Sequence, residues 1–218
     1  MKMLLSWIGN VISPPTCVCC HCFLDIRFPL CVHCEDALEP VLSCELMVTP
    51  SYMLKVFAVT EYVGVIRSLV MAKQSGNRLA SRQLGQLIAK RALYSWQECD
   101  GIVPVPLHWL RYAWRGFNQS YEIAQVLSEE HGIDIINGVT RTRSTAYQAS
   151  LERKERMHNV RDGFQVDDVM REQIRGKHLV IVDDVMTTGA TLVEVARALA
   201  RCKPASLSAV VAARVVLK

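Results

Sequence analysis

Two adjacent carboxylates, Asp183 and Asp184, end the apolar run Leu179-Val180-Ile181-Val182 and precede the small, hydroxyl-rich stretch Thr187-Thr188-Gly189-Ala190-Thr191. Side-by-side acids can accept hydrogen bonds from two neighbouring hydroxyls, which is what a ribose presents. The stretch that follows, Leu192 to Leu199, has the apolar spacing of a helix. A turn that opens a helix holds a phosphate dianion through its backbone N–H groups and the positive end of the helix dipole. Strand, acid pair, turn and helix in that order therefore make a site for a phosphorylated sugar. The crevice beyond the carboxyl ends of the strands is where open α/β sheets take their ligands. The plainer reading of the same residues is a strand, a polar turn and an Asp that caps a helix. The order of the four parts favours the sugar-phosphate reading.

A second constellation runs from Pro104 to Ser120. Its prolines, Pro104 and Pro106, fix the backbone as it leaves a short apolar strand at 102–106. Arg111 and Arg115 lie four apart and can share a helical face, and guanidinium groups near a strand end can clamp a diphosphate in bidentate fashion. Solvated arginines beside a buried Trp109, Trp114 and Phe117 are the plainer alternative.

Seven of the nine cysteines fall in the first 44 residues. Cys17-x-x-Cys20 and Cys31-x-x-Cys34 make two knuckles, with Cys19-x-x-Cys22 as an alternative first pair. Four thiolates at such spacing close a tetrahedron around Zn2+, a structural site with no open position for catalysis. An odd cysteine count and no export signal argue against a disulfide framework. Cys99 and Cys202 stand alone and are expected to be buried small hydrophobes.

Charge is uneven. Residues 1–50 carry two basic and five acidic side chains, a net of −3. The segment 141–161 carries Arg141, Arg143, Arg153, Lys154, Arg156 and Arg161 against Glu152 and Glu155. Its net of +4 equals the excess of the whole chain, so an anionic partner is expected on that face. Cations tracking a backbone beside Tyr147 and Phe164 suit single-stranded nucleic acid; the same loop also suits plain neutralisation of a phosphorylated ligand.

These groups need a scaffold. Strands are expected at 56–60, 102–106, 179–182 and 207–216, and helices at 64–71, 79–96, 120–131 and 192–199, with Gly132 closing the third. A further short helix is expected over 1–12. Alternating strands and helices imply an α/β fold with a largely parallel sheet covered on both faces. The expected division is a Cys-rich zinc module with its leading helix at 1–46 and an α/β domain at 47–218. No apolar run approaches the length of a membrane span, and a cytoplasmic protein is expected.

The Asp183–Thr191 segment resembles the motif by which type I phosphoribosyltransferases bind 5-phosphoribosyl-1-diphosphate (PRPP). The resemblance implies that Asp183 and Asp184 take the ribose 2′ and 3′ hydroxyls. It also implies that Thr187, Thr188, Gly189, Ala190 and Thr191 hold the 5′-phosphate, with Mg2+ accompanying PRPP. The loop carrying Pro106, Arg111 and Arg115 would correspond to the one that holds the pyrophosphate. Purine-salvage members place an Asp where this chain has Thr187, so purine salvage is not expected. A glutamine-using amidotransferase needs a glutaminase domain that begins at a processed cysteine; 218 residues beginning Met1-Lys2-Met3 do not accommodate it.

The wider pattern is similar to the ComF/GntX family. It comprises the knuckles, Pro104-Val-Pro-Leu, Arg115-Gly-Phe-Asn-Gln-Ser, Thr140-Arg-Thr-Arg, Gln148, Arg153, Arg156, Asn159, Phe164 and Val182-Asp-Asp, and covers essentially the whole chain. Lys73 matches a family lysine and would add charge at the diphosphate. The resemblance implies a phosphoribosyltransferase-like fold and an association with natural transformation (competence), in which single-stranded DNA and DNA-uptake proteins are partners. It leaves open whether a pentosyl transfer is catalysed, and on what acceptor.

Overall fold

In the computed structural model, residues 16–24, 28–74, 78–107, 112–113, 116–141 and 163–216 are described. The helix expected over 1–12 lies outside them. The elements in chain order are α1 (Val32–Asp36), β1 (Cys44–Thr49), β2 (Tyr52–Glu61), α2 (Gly64–Gln74), α3 (Arg78–Arg91), a 3-10 turn (Trp96–Glu98) and β3 (Gly101–Pro104). There follow α4 (Gln119–His131), β4 (Val139–Arg141), β5 (Phe164–Val166), α5 (Asp168–Ile174), β6 (His178–Met186), α6 (Ala190–Ala200) and β7 (Ser206–Arg214).

The main sheet has the order β1-β2-β7-β6-β3. β2, β7, β6 and β3 run parallel, and β1 is an antiparallel edge strand hairpinned onto β2. The central strands read as continuous apolar runs because helices cover both faces. On one face Val180, Val182 and Val210 meet Ile66 and Leu69 of α2, Leu84 and Leu87 of α3, and Ile123 and Leu127 of α4. On the other, Ile181 and Val211 meet Leu192, Val195 and Leu199 of α6, with Phe164 and Val166 of the small β4–β5 pair. The type I phosphoribosyltransferase-like layout expected from the sequence is thus present, with the acid pair near the carboxyl end of the second-last strand.

The cysteine-rich front end packs on the first face. Cys17, Leu30, Cys34 and Leu38 belong to the same buried cluster as Ile66 and Leu87. Buried Glu35 accepts a 2.7 Å hydrogen bond from Lys90 and lies 3.7 Å from Arg91, fastening α1 to the last turn of α3. Thr60 of β2 donates to the carbonyl of Glu39 at 2.8 Å. The expected module boundary at 46/47 falls inside β1.

The helix expected over 79–96 ends at Arg91, a correction with a clear cause. Leu93 is 82% exposed, so the apolar spacing there does not mark a buried helix face. Beyond it Tyr94 meets Phe57 edge-on at 5.4 Å and Trp96 at 4.8 Å, and Trp96 stacks on His131 at 4.5 Å. Those three ring contacts hold the chain out of a helix. α3 and α4 cross closely at Gly85, where a Cβ would sit 2.8 Å from Val126 Cβ. Among the described residues no helix is long and apolar enough to cross a membrane. Cys99 and Cys202 are buried as expected.

Candidate functional site

β6 carries Asp183 and Asp184 within its last four residues, and both side chains are half-buried. Each carboxylate is anchored to the strand that bears it: Asp183 Oδ1 accepts the Asp184 N–H at 2.9 Å, and Asp184 Oδ1 accepts the Val185 N–H at 2.5 Å. Asp183 Oδ1 also accepts a 2.8 Å hydrogen bond from Ser120 Oγ. Ser120 is 4% exposed and stands in the first turn of α4. That turn is capped by Asn118, whose Oδ1 accepts the Ser120 N–H at 3.2 Å while its Nδ2 donates to the Val105 carbonyl at 3.0 Å. These bonds fix the orientation of the Asp183 carboxylate.

The turn 187–189 leaves β6 and opens α6. Gly189 is the N-cap of α6 with φ 76°, a left-handed conformation that suits glycine. A Cβ there would sit 2.4 Å from Leu46 Cδ1 of β1, so the backbone lies close over the sheet edge. The Thr188 hydroxyl accepts the Ala190 N–H at 3.4 Å. Thr187 is exposed, and Thr188, Ala190 and Thr191 are half-buried. The acid pair, the turn and the start of an 11-residue helix therefore share one end of the sheet.

Beside them opens a cleft of about 430 Å3 at the end of β3, with Pro106, Leu107, Phe117 and Asn118 in its walls. Arg78 lies across the Phe117 ring at 5.2 Å and donates to the Gly116 carbonyl at 3.0 Å. Lys73 lies on α2. Arg111 and Arg115, the proposed diphosphate clamp, lie outside the described residues, as do Arg143, Arg153, Lys154, Arg156 and Arg161. Arg141 is in β4, its guanidinium 5.4 Å from the Phe164 ring centre.

At the front end the thiols of Cys17, Cys20, Cys22 and Cys31 all lie within 4.8 Å of one another. Two come from the first expected knuckle, one from the alternative pair and one from the second knuckle. Cys34 is 5% exposed and borders the cluster. Burial opposes a thiolate at Cys17, yet backbone hydrogen bonds from Cys20, Cys31 and Cys19 outweigh it and bring its pKa to about 6. The Cys34 backbone likewise pulls Cys31 down. Hydrogen bonds to the Cys20 and Cys31 thiols push Cys22 up to about 12, and burial pushes Cys34 up. Four thiols converging in this way fit a tetrahedral metal ion.

Two partners in this arrangement had no signal in the sequence reading of the acid pair. Ser120 is 63 residues from Asp183, and only the packing of α4 against β6 joins them. The hairpin that brings Leu46 under Gly189 was not expected at all.

Residues 81–215 match the phosphoribosyl transferase domain family. The chain is 33% identical over 195 residues to the DNA utilization protein YhgH of Salmonella typhimurium, covering 85% of this chain and 84% of that protein. It is 29% identical over 204 residues to competence protein F of Haemophilus influenzae, covering 88% and 87%. Among solved structures, a glutamine PRPP amidotransferase from B. subtilis aligns at 20% identity and TM-score 0.41, over 60% of this chain and 25% of that one.

Proposed function

Because this chain belongs to the phosphoribosyl transferase domain family, and to the ComF family alongside competence protein F, we propose that it binds PRPP and serves in the cellular handling of DNA. The observation that carries the PRPP reading is the acid pair ending β6, held by Ser120 and followed at once by a turn that opens α6. Asp183 and Asp184 accept the ribose 2′ and 3′ hydroxyls. The Thr187–Thr191 backbone takes the 5′-phosphate at the helix's positive end. Pro106, Arg111, Arg115 and Lys73 surround the diphosphate. Mg2+ accompanies the ligand, held by its phosphate oxygens and water as that ion prefers, and offsets diphosphate charge. The cysteine cluster holds Zn2+ as a structural ion.

The DNA-handling role is the reading favoured by the names of the relatives, a DNA utilization protein and a competence protein. The basic residues Arg141, Arg143, Arg153, Lys154, Arg156 and Arg161 are assigned to the nucleic-acid backbone, in the cytoplasm. In the second reading the same pocket runs a pentosyl transfer. The protein's part is then to hold the diphosphate leaving group and to stabilise charge on the ribose by position and electrostatics.

Calorimetry with PRPP and Mg2+ on the wild type and Asp184→Asn tests the shared premise. Heat from the wild type that shrinks in the variant supports it; none from the wild type overturns it. Tight single-stranded DNA binding whose salt slope flattens in Arg153→Ala/Arg156→Ala supports the first role. Pyrophosphate release from PRPP that stops in Asp183→Asn supports the second.

A further inference from the structure

Arg214 closes β7, directly beside Met186 of β6 on one side and Glu61 of β2 on the other. Met186 faces α6, packing in the cluster of Leu192, Val195 and Leu199. Residues at one register position of adjoining parallel strands point to the same face, so Arg214 lies on the α6 side of the sheet. The turn that follows Met186 crosses this side, for Gly189 comes to rest against Leu46 of β1, beyond β7 and β2. Arg214 therefore stands beside the strand end from which the turn 187–189 departs.

Two features of this position are unfavourable without a ligand. The Arg214 Nε is buried and has no hydrogen-bond partner among the described residues, although arginine stays charged in proteins. A cation near the start of a helix meets the positive end of the dipole, the reverse of the usual placement. An anion seated in the turn accepts from the helix's first N–H groups and gives the guanidinium a counter-charge.

We propose that Arg214 is a phosphate-binding residue, the side-chain cation that meets the 5′-phosphate of a sugar phosphate from the sheet side while the turn 187–191 holds it from the helix side. This rests on the PRPP reading and adds a residue to it. The pyrophosphate end of PRPP belongs to a different loop, so Arg214 separates the two ends of the ligand.

The test is calorimetry of the full chain with ribose 5-phosphate, pyrophosphate and PRPP, each with Mg2+, on wild type, Arg214→Gln and Arg214→Lys. The expected result is that Arg214→Gln weakens ribose 5-phosphate and PRPP by about tenfold or more, in the range of a lost charge-assisted hydrogen bond. Pyrophosphate binding stays within about twofold, and Arg214→Lys recovers part of the loss because a point charge still reaches a phosphate. Wild-type affinity for ribose 5-phosphate in Arg214→Gln overturns the proposal and leaves the PRPP reading standing. Equal loss of ribose 5-phosphate and pyrophosphate, with no recovery by lysine, marks a structural role and also overturns it. A wild type that binds neither PRPP nor ribose 5-phosphate removes the underlying reading as well.

Discussion

Replacing Ser120 by alanine removes the 2.8 Å hydrogen bond that reaches Asp183 from α4. A bond to a charged acceptor contributes about 1.5–3 kcal/mol. Asp183 keeps the Asp184 N–H at 2.9 Å, so the carboxylate stays anchored and the lower end of that range applies. Asp183 then samples orientations unsuited to a ribose hydroxyl. About 1.5 kcal/mol transferred to binding is roughly a tenfold rise in the PRPP dissociation constant. Whatever part falls instead on folding shifts the melting temperature by about 2–4 °C per kcal/mol in a chain of this size. Calorimetry with PRPP reads the first part and thermal denaturation the second. A double-mutant cycle with Asp183→Asn isolates the pair, with a coupling of at least about 0.5 kcal/mol expected. A Ser120→Ala dissociation constant within about twofold of wild type, together with additive single variants, would refute a role for Ser120 in orienting the acid.

Four further outcomes follow from the same structure. Gly189→Ala combines a positive φ with a Cβ 2.4 Å from Leu46, so PRPP binding should fall by at least about tenfold, and Leu46→Ala should restore only part because the φ strain remains. Lys90→Ala leaves the buried Glu35 carboxylate with Arg91 at 3.7 Å in place of its 2.7 Å partner, and should lower stability by about 1–3 kcal/mol in denaturant titrations, while Glu35→Ala costs less, the exposed Lys90 amine being free to resolvate. Burial holds the His131 pKa below its ordinary 6.5, so the unfolded chain binds more protons there; stability should be full above about pH 6.5, fall as the pH drops toward the lower folded value, and lose that slope in His131→Asn. Metal analysis should find about one zinc per chain, lost in Cys22→Ser, because the Cys22 thiol lies within 4.8 Å of those of Cys17, Cys20 and Cys31.

The parts of this fold that were legible in the sequence are those set by local order. The apolar run 179–182, the acid pair and the small turn predict β6 and the start of α6, because a buried parallel strand and an amphipathic helix have different periods. Gly132 closing α4 is legible for the same reason: its left-handed φ of 69° ends a helix that the spacing had already marked. What stayed hidden depends on distant partners. β4 and β5 have three residues each, and their pairing joins residues more than twenty positions apart, which no local pattern carries. β1 alternates in burial, but Met47 on its exposed side, opposite exposed Met53, makes Leu46-Met47-Val48 read as an unbroken apolar run. The early end of α3 is decided by rings at Phe57, Trp96 and His131 that lie on three other segments. In the candidate site the acid pair and the small turn after it were readable by type and spacing. The Ser120 bond and the register of Arg214 beside Met186 were not, since both arise only when strands and helices are packed. The knuckle spacing gave a thiol cluster but not its membership, because Cys22 reaches Cys20 and Cys31 by the backbone bond that ties Cys17 N–H to the Cys22 carbonyl at 2.9 Å.

Leu30 and Leu38 share their burial with Ile66 and Leu87, and Glu35 is moored to the end of α3. The thiol-bearing segment is thus a wall of the building and not a porch. Trimming it away would uncover greasy surface on α2 and α3 and split the outermost strand, so whoever wants the candidate site in a test tube must keep the cysteines with it.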